Sequence, residues 1–306
     1  MAAKETDGRS LLSVFDLKKP GVRVLYWIMV IGLCLGALTT ILPLVWGMLS
    51  ALKLSGEIFA FPPRFFPEGR LFEWQWRNYA EAWNMIDFPR YFRNTMILAF
   101  GVWFFQIIPS AFAGYAISKF SSKMVRVFAF LFFLTLMVPF EAIMIPLYLT
   151  VKNVPGLGVN LLQRQWGGGY LAIILPAGVN AFNIFVFKGF FDQIPNDLME
   201  AARIDGAGEI RTFFTIVLPL SRSIIAVLSI FSIMFTWNDF FWPLIVVHDQ
   251  RFYTIMLKLY IFSTQSAVSV NISLAALMIA TIPPIILFLI FQKQIMKGIT
   301  LSGLKY

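Results

Sequence analysis

Six long apolar runs, separated by shorter polar segments, account for most of the chain. They fall near residues 24–50, 95–117, 127–150, 170–190, 224–247 and 272–291. Each run is long enough to cross the hydrocarbon core of a bilayer as a helix, which takes about 20 predominantly apolar residues. The pattern therefore predicts an all-α, polytopic membrane protein with six transmembrane helices.

Prolines interrupt the third and fourth runs, at Pro139, Pro146 and Pro176. A membrane helix tolerates proline where neighbouring groups satisfy the carbonyl that loses its hydrogen bond. We therefore interpret these prolines as kinks within continuous helices. The first run is too long for the apolar region of a signal peptide, and no Ala-x-Ala pattern follows it, so we expect it to remain as an anchor.

Composition supports the membrane assignment and excludes several kinds of site. Of 306 residues, 58% are hydrophobic and 13% are charged, and the mean hydropathy is +0.75. Cys34 is the only cysteine and His248 the only histidine, so an internal disulfide and Cys- or His-rich metal sites are excluded. We expect no metal and no catalytic residues. The net charge of +9 is spread through short loops, which does not favour nucleic acid as a partner.

The distribution of the cations predicts the orientation. Lysines and arginines are in excess in the N-terminal segment, in the loops after the second and fourth runs, and after the sixth run. Because cytoplasmic loops carry such an excess, we expect both termini in the cytoplasm. The chain then divides into a cytoplasmic N-terminal segment (1–23), a transmembrane domain (24–291) that includes a cytoplasmic loop (192–222), and a cytoplasmic tail (292–306).

The first loop on the opposite side is long and rich in tryptophan and proline. We expect a short interfacial helix around residues 76–84, "WRNYAEAWN". Its Trp and Tyr side chains are typical of residues that anchor a protein at the lipid headgroups. A docking role for the same side chains stays open.

The cytoplasmic stretch "EAARIDGAGEIRTFFTIVLPL" (200–220) is too polar to lie in lipid. Asp197 at an N-cap, with Glu200 three residues later, predicts a helix that begins with a capping box. Its apolar or small face follows the helical spacing. That face comprises Leu198, Ala201, Ala202 and Asp205. We expect Gly206 and Gly208 to end this helix, since glycine accepts the left-handed conformation of a C-terminal cap.

A second amphipathic pattern follows the glycines and leads back to the membrane. Ile210, Phe213, Phe214, Val217 and Leu218 fall on one predicted stripe before Pro219. A short helix with small residues at its centre fits closely into a groove of another protein. Charges at its rim, on Glu200, Arg203 and Asp205, would fix the register. The alternative is an ordinary loop on the headgroups, and spacing alone leaves both open.

The same stretch resembles the EAA loop of permease subunits of ABC importers. The matching residues are Glu200, Ala201, Ala202, Asp205, Gly206, Ala207, Phe213 or Phe214, Ile216, Leu218 and Pro219. Residues 137–149, 174–198, 237–246 and 298–306 resemble segments of the sugar-importing branch that contains the maltose permeases. Ser223 departs from the family pattern, which often has proline there.

This resemblance implies the fold and the partners of the chain. It implies a type I ABC importer permease in the bacterial cytoplasmic (inner) membrane, with no enzymatic activity of its own. The implied partners are a second permease, two ABC ATPases and an extracytoplasmic solute-binding protein. The implied coupling helix, which sits in a cleft of an ATPase, contains Glu200, Ala201, Ala202, Arg203, Asp205, Gly206 and Ala207. The chain has no Gly-Lys dipeptide and hence no P-loop, so we expect ATP and Mg to bind the partner ATPase, with no cofactor on this chain.

Polar residues within the apolar runs are candidates for the translocation pathway, because ionisable groups at membrane depth tend to face the interior of a bundle. The candidates for hydrogen bonds to sugar hydroxyls are Glu141, Asn180, Asn183, Asn238 and Asp239. Trp237, Trp242 and Phe182 are candidates for stacking on a sugar ring. The alternative is that these groups bridge helices within the protein.

Other functions also remain open from the residues alone. A channel or secondary transporter would need no ATPase, although the few intramembrane charges do not favour a proton relay. A membrane enzyme lacks an evident set of catalytic residues. Amino-acid and peptide importers also have EAA loops, and the sequence does not identify the solute, whether a sugar, an oligosaccharide or a sugar phosphate.

Overall fold

The structure, a computed structural model, describes residues 19–265 and 268–303, with side chains through residue 294. These residues form α-helices and connecting turns, with one isolated β-bridge between Val154 and Val159. The α-helices are α1 Pro20–Ala51, α2 Ser55–Ile58, α3 Arg77–Ile86, α4 Phe88–Lys119, α5 Lys123–Thr135, α6 Phe140–Lys152, α7 Tyr170–Ala177, α8 Ala181–Phe191, α9 Asn196–Ile204, α10 Glu209–Thr212, α11 Leu218–Leu220, α12 Arg222–Asn238, α13 Phe241–Val246, α14 Ile255–Ser263 and α15 Val270–Gly303. Short 3₁₀ turns occupy Arg164–Trp166 and Gln250–Phe252, and a π-helical turn occupies Phe213–Val217.

Four of the helical units are long and apolar enough to cross a membrane. They are α1, α4, the α7–α8 unit (Tyr170–Phe191) and Val270–Gln294 of α15. Two bent pairs, α5 with α6 and residues 209–220 with α12, raise the number to six if each pair is one span. The all-α, multi-span architecture predicted from the sequence is therefore confirmed, and α3 forms between α2 and α4, close to its predicted position.

The third predicted run breaks where a kink was expected. α5 and α6 meet at an angle of 106° across the residues between Thr135 and Phe140, and Pro139 is the N-cap of α6. Proline has no N–H to donate, and the residue before it is disfavoured in the α conformation. α5 therefore does not continue through Pro139, and a new helix, α6, begins after it. Pro146 lies inside α6, as expected. The interpretation of Pro139 as a kink in a continuous helix was wrong.

The fourth and fifth runs are also interrupted. α7 ends one residue after Pro176, and α8 begins after three non-helical residues. The fifth run was predicted to be continuous to residue 247, but α12 ends at Asn238, and Asp239 and Phe240 separate it from α13. Three helical runs therefore contain a break at which the backbone is not part of a helix.

α4 is the central helix, since it packs against α7, α8 and α12. Its contact with α8 depends on Gly114, because a Cβ at this position would lie 2.7 Å from Cβ of Phe187 and 3.0 Å from the carbonyl oxygen of Ile184. At the Lys119 end of α4, Tyr115, Phe187, Phe191 and Phe213 join one buried apolar cluster. This cluster supports the polar segment 192–222.

The first helix adds little to the bundle, whereas α15 packs against α1, α3, α12 and α14. Among the residues of α1 only Gly47, Ser50 and Ala51 are buried, and α1 packs against α15. α15 continues to Gly303, so residues 292–303 of the predicted tail extend the last helix. Residues 1–18 and 304–306 of the predicted terminal segments lie outside the described residues.

Candidate functional site

The first helix of the polar segment is α9, which begins at Asn196 with Pro195 at the N-cap. Pro195 suits this position because it lacks an N–H. The nearby Lys119 Nζ donates to the carbonyl oxygen of Ile194 (2.8 Å) and to Oδ1 of Asn196 (3.0 Å). Asp197 lies in the first helical turn, where a carboxylate is favourable to the helix dipole, and it accepts no capping bond. The predicted capping box of Asp197 and Glu200 was therefore wrong.

α9 ends in a Schellman motif at Gly206. The Ala207 N–H donates to the carbonyl oxygen of Ala202 (2.8 Å), and the Gly206 N–H donates to that of Arg203 (3.0 Å). Gly206 has φ +79°, the left-handed conformation that the sequence predicted. Gly208 differs from the prediction, because it is extended and forms the N-cap of α10 instead of ending α9.

One face of α9 is buried by other residues of this chain, and the other face is exposed. Met199 is buried in the apolar cluster at the Lys119 end of α4, and Ala202 is buried as well. Glu200, Ala201, Arg203, Asp205 and Gly206 are exposed, and Ala207 is half-buried. The prediction that Ala201 and Ala202 share one outer face was wrong, since Ala202 is only 7% exposed.

The second amphipathic pattern also divides between two faces. Phe213 and Val217 are buried, whereas Ile210 and Phe214 are exposed. The π-helical turn Phe213–Val217 explains this division, since its wider turn rotates the side chains relative to a regular α-helix. Ile204 is the most exposed large apolar side chain of α9 at 86%, and Ile210 is 72% exposed. Sequence analysis missed Ile204, although an isoleucine next to the turn of a polar loop is a usable signal.

Polar contacts fix the segment to the membrane helices. Tyr115 Oη donates to Oε2 of Glu209 (2.9 Å), whose other oxygen accepts from Arg203 (Nε, 2.9 Å). Asp192 accepts from Lys188 Nζ (2.6 Å) and Ser118 Oγ (2.8 Å). The segment residues 192–209 are therefore held against α4 and α8, with the surface around Ala201, Ile204 and Ile210 left uncovered by this chain. We call this surface the outer face of α9.

The polar candidates in the membrane lie at the helix breaks. Asn180 caps α8, with Oδ1 accepting from the Asn183 N–H (2.9 Å). Asp239 Oδ1 accepts from the N–H groups of Phe241 (3.1 Å) and Trp242 (3.3 Å) and so caps α13. Glu141 is exposed in the first turn of α6. Each break thus places a polar side chain at the start of a new helix.

The remaining pathway candidates differ in their exposure. Trp242 is buried, donates from Nε1 to the carbonyl oxygen of Ala172 (3.1 Å) and packs edge-on against Phe140. Trp237 is buried against Phe92, and Asn183 is buried as well. Asn238, which donates to the carbonyl oxygen of Met234 (2.8 Å), and Phe182 are exposed. In this conformation protein atoms therefore cover both tryptophan side chains that were candidates for stacking.

Near the end of α4 opposite α9, the segment after α13 carries an ion pair. Asp249 accepts from the side chain of Arg251 at 2.6 Å and from its backbone N–H at 3.0 Å. These hydrogen bonds lower the pKa of the Asp249 carboxyl to about 2. The segment therefore stays zwitterionic at neutral pH.

Comparison with known proteins places this geometry in a family. Residues 106–300 match the sequence profile of the family described as "Binding-protein-dependent transport system inner membrane component". The sn-glycerol-3-phosphate transport system permease protein UgpE of Yersinia pestis bv. Antiqua (strain Antiqua) is 30% identical over 277 residues, covering 88% of this chain and 94% of UgpE. The arabinooligosaccharides transport system permease protein AraQ of Halalkalibacterium halodurans is 28% identical, covering 94% of this chain and 100% of AraQ.

A solved structure has the same fold. A chain of a bacterial ABC transporter involved in the import of the acidic polysaccharide alginate superposes with a TM-score of 0.74 at 20% identity, covering 90% of this chain and 98% of that one. The matched family region includes α9, the outer face and all three helix breaks. This chain belongs to the family of inner-membrane components of binding-protein-dependent transport systems.

Proposed function

We propose that this chain is the permease subunit of an ATP-driven importer of a sugar or oligosaccharide. It forms half of the translocation pathway together with a second permease subunit. Two ABC ATPases drive the complex, and a solute-binding protein delivers the solute from the other side of the membrane. The observation that carries this proposal is the outer face of α9, which is exposed although both ends of α9 are hydrogen-bonded to α4.

The outer face has the composition of a docking surface. Ile204 and Ile210 supply apolar side chains on either side of the Gly206 turn, and Ala201 leaves room for close approach. Glu200, Arg203 and Asp205 surround them with charge. Protein interfaces combine buried apolar anchors with a polar rim in this way. The ATP and Mg of the complex belong to the partner ATPase, and this chain carries no cofactor.

The helix breaks support a carbohydrate as the solute. Discontinuous membrane helices place polar groups at the binding sites of transporters. Glu141 and Asp239 lie at two of the breaks, where carboxylates accept hydrogen bonds from sugar hydroxyls. Among the relatives, AraQ is named for arabinooligosaccharides, which carry no charge. Asn180 and Asn238 add neutral polar groups, and Asn183, Trp237 and Trp242 lie behind them.

A phosphate ester is the second candidate, because UgpE is named for sn-glycerol-3-phosphate. Like charges disfavour it, since Glu141 and Asp239 would repel a phosphate. We further propose that both termini are cytoplasmic, because this orientation puts α9 on the side of the ATPase and agrees with the distribution of lysine and arginine.

The experiment uses the complex reconstituted in lipid nanodiscs with its ATPase and its binding protein. Thermal stabilisation of the binding protein is measured first with arabino-oligosaccharides, alginate oligomers and sn-glycerol-3-phosphate. The compound that stabilises it is then tested for stimulation of ATP hydrolysis by the complex. We expect a saccharide to stabilise the binding protein and to stimulate hydrolysis. Stabilisation by sn-glycerol-3-phosphate alone would favour the second candidate, and a permease that retains no ATPase would contradict the proposed function.

A further inference from the structure

α4 connects the two sides of the membrane as one helix. It contains 32 residues, from Phe88 to Lys119, and at 1.5 Å per residue it is about 48 Å long. Polar side chains near both of its ends form hydrogen bonds with segments outside the helix. These contacts are separate from the pathway candidates, which lie at breaks in other helices.

At one end α4 holds both termini of α9. Lys119 binds Ile194 and Asn196, where α9 begins, and Tyr115 binds Glu209, just after the turn that ends α9. The Tyr115 contact extends to the outer face, because Glu209 also accepts from Arg203. A displacement of α9 therefore acts directly on the last turns of α4.

At the other end α4 holds the segment 249–255. Asn94 Nδ2 donates to the carbonyl oxygens of Arg251 (2.7 Å) and Tyr253 (3.0 Å), and Thr95 Oγ1 accepts from the Ile255 N–H (2.9 Å). Asn94 and Thr95 are 5% and 0% exposed. Since a buried polar group that loses its partner costs free energy, this segment follows α4 when α4 moves.

The middle of α4 is supported against bending at Pro109. Gly101 and Gly114 lie on either side of this proline, and both allow the α7–α8 unit to approach closely. A Cβ at Gly101 would lie 2.6 Å from Cδ1 of Ile174, and one at Gly114 would lie 2.7 Å from Cβ of Phe187. Interiors packed at this density transmit strain instead of absorbing it.

We infer that α4 is a rigid link that transmits displacement between α9 and the outer segment 249–255, with Asn94, Thr95, Tyr115 and Lys119 as its positioning residues. The inference rests on the proposed function, because the ATPase must act on α9. Coupling between two sites is reciprocal, so an event at segment 249–255 reaches the ATPase through the same helix.

Hydrogen exchange of the assembled complex in nanodiscs tests this role, with Mg·AMP-PNP as the probe. The readout is the change in exchange that the nucleotide causes, measured separately in α9 and in segment 249–255. Thr95→Val removes the hydroxyl that accepts from the Ile255 N–H and donates to the carbonyl oxygen of Tyr91 within α4, and Tyr115→Phe removes the hydroxyl that donates to Glu209. Thr281→Val and Tyr79→Phe are the matched controls, because their hydroxyls bind only carbonyl oxygens of Met278 and Met48.

In the wild type we expect the nucleotide to change exchange in both segments. Each α4 variant should reduce the nucleotide-induced change in exchange of segment 249–255 about fivefold, because losing one ordinary hydrogen bond changes an equilibrium constant by about that factor. The exchange of α9 should still respond. The controls should respond like the wild type. A wild-type complex in which α9 responds to the nucleotide but segment 249–255 does not would overturn the inference. Thr95→Val and Tyr115→Phe variants that respond like the controls would also overturn it.

The double variant shows whether both contacts lie on one route. The two contacts lie about 30 Å apart along α4. Since each variant leaves part of the response, losses along one route multiply, and Thr95→Val combined with Tyr115→Phe should reduce the response of segment 249–255 about 25-fold. A double variant that keeps as much response as the more severe single variant would contradict the link, because another route would then carry the remainder. If α9 itself does not respond to Mg·AMP-PNP, the proposed function fails, and the inference fails with it.

Discussion

Gly206 determines the geometry of the turn between α9 and α10. Its φ of +79° is strained for any residue with a Cβ, whereas no atom lies within 4 Å of the space a Cβ would occupy. Gly206→Ala should therefore cost about 1–2 kcal/mol through backbone conformation alone. We expect this variant to reduce the amount of ATPase that copurifies with the permease.

Gly208→Ala is the matched control for this prediction. Gly208 lies in the same turn with φ −74°, and its Cβ would also meet no atom. Gly208→Ala loses only the preference of an N-cap position for glycine over alanine. Equal recovery of the ATPase with both variants would contradict the role of the left-handed turn.

Ala201 and Ala202 should respond in opposite ways to enlargement. Ala201→Trp places the ring on the outer face of α9, so the permease should keep its melting temperature and lose the ATPase. Ala202→Trp overpacks a site that is 7% exposed and should destabilise the permease by about 1–3 kcal/mol. Thermal unfolding in detergent and a pull-down of the ATPase measure the two effects. An Ala201→Trp permease that unfolds early would contradict the assignment of the faces.

These residues mark how far the sequence predicts the site. The Gly206 turn was predictable, because few residues other than glycine adopt that conformation. Ala201 and Ala202 were not separable, since helical spacing describes a face but not whether this chain or a partner covers it. The Tyr115–Glu209 contact joins residues 94 positions apart, and no local pattern predicts such a pairing.

For the helices too, composition predicted some features, and others depend on tertiary packing. Length and hydropathy located four spans, and six if each bent pair is one span, because residues in lipid must satisfy their backbone groups within a helix. Length and hydropathy did not show whether the helix is kinked or broken at Pro139, since the residues before the proline are equally apolar in both cases. In the structure Phe140 at the start of α6 packs edge-on against Trp242 of α13, a tertiary contact that no local pattern predicts.

Asp239 tests what a helix break contributes. Asp239→Asn keeps an oxygen that accepts from the Phe241 and Trp242 N–H groups and removes only the charge. Asp239→Ala also removes the cap, which should cost about 1 kcal/mol. If the carboxylate serves the pathway, the Asn variant should assemble normally and show altered uptake into proteoliposomes of the compound that stabilises the binding protein. Failure of Asp239→Asn to assemble would indicate a structural role instead.

On the scale of the whole molecule, the distribution of charge predicts the orientation in the membrane. A reporter fused after Lys119 should be cytoplasmic, because Lys119, Lys123 and Arg126 lie at and just beyond the end of α4, and cytoplasmic loops carry an excess of such residues. A reporter fused at Gly168, before the α7–α8 span, should be outside. Alkaline phosphatase and fluorescent-protein fusions read the two sides. A cytoplasmic position 168 would contradict the six-span arrangement.

The packing of α1 could not be predicted from composition. Its apolar surface is compatible both with lipid and with another membrane helix, since lipid tails are as apolar as leucine. Within the described residues, this chain buries only the last part of α1, at Gly47, Ser50 and Ala51.

The central claim is that the outer face of α9 binds the ATPase, and site-directed crosslinking tests it most directly. Cys34 is the only cysteine, so Cys34→Ser gives a background in which one new cysteine carries a short maleimide photo-crosslinker. Ile204→Cys is the test position at 86% exposure, and Leu157→Cys, 72% exposed across the membrane, is its control. The account predicts that position 204 crosslinks to the ATPase and position 157 does not. An assembled complex in which position 204 leaves the ATPase unlabelled, or in which both positions label it equally, would contradict the account.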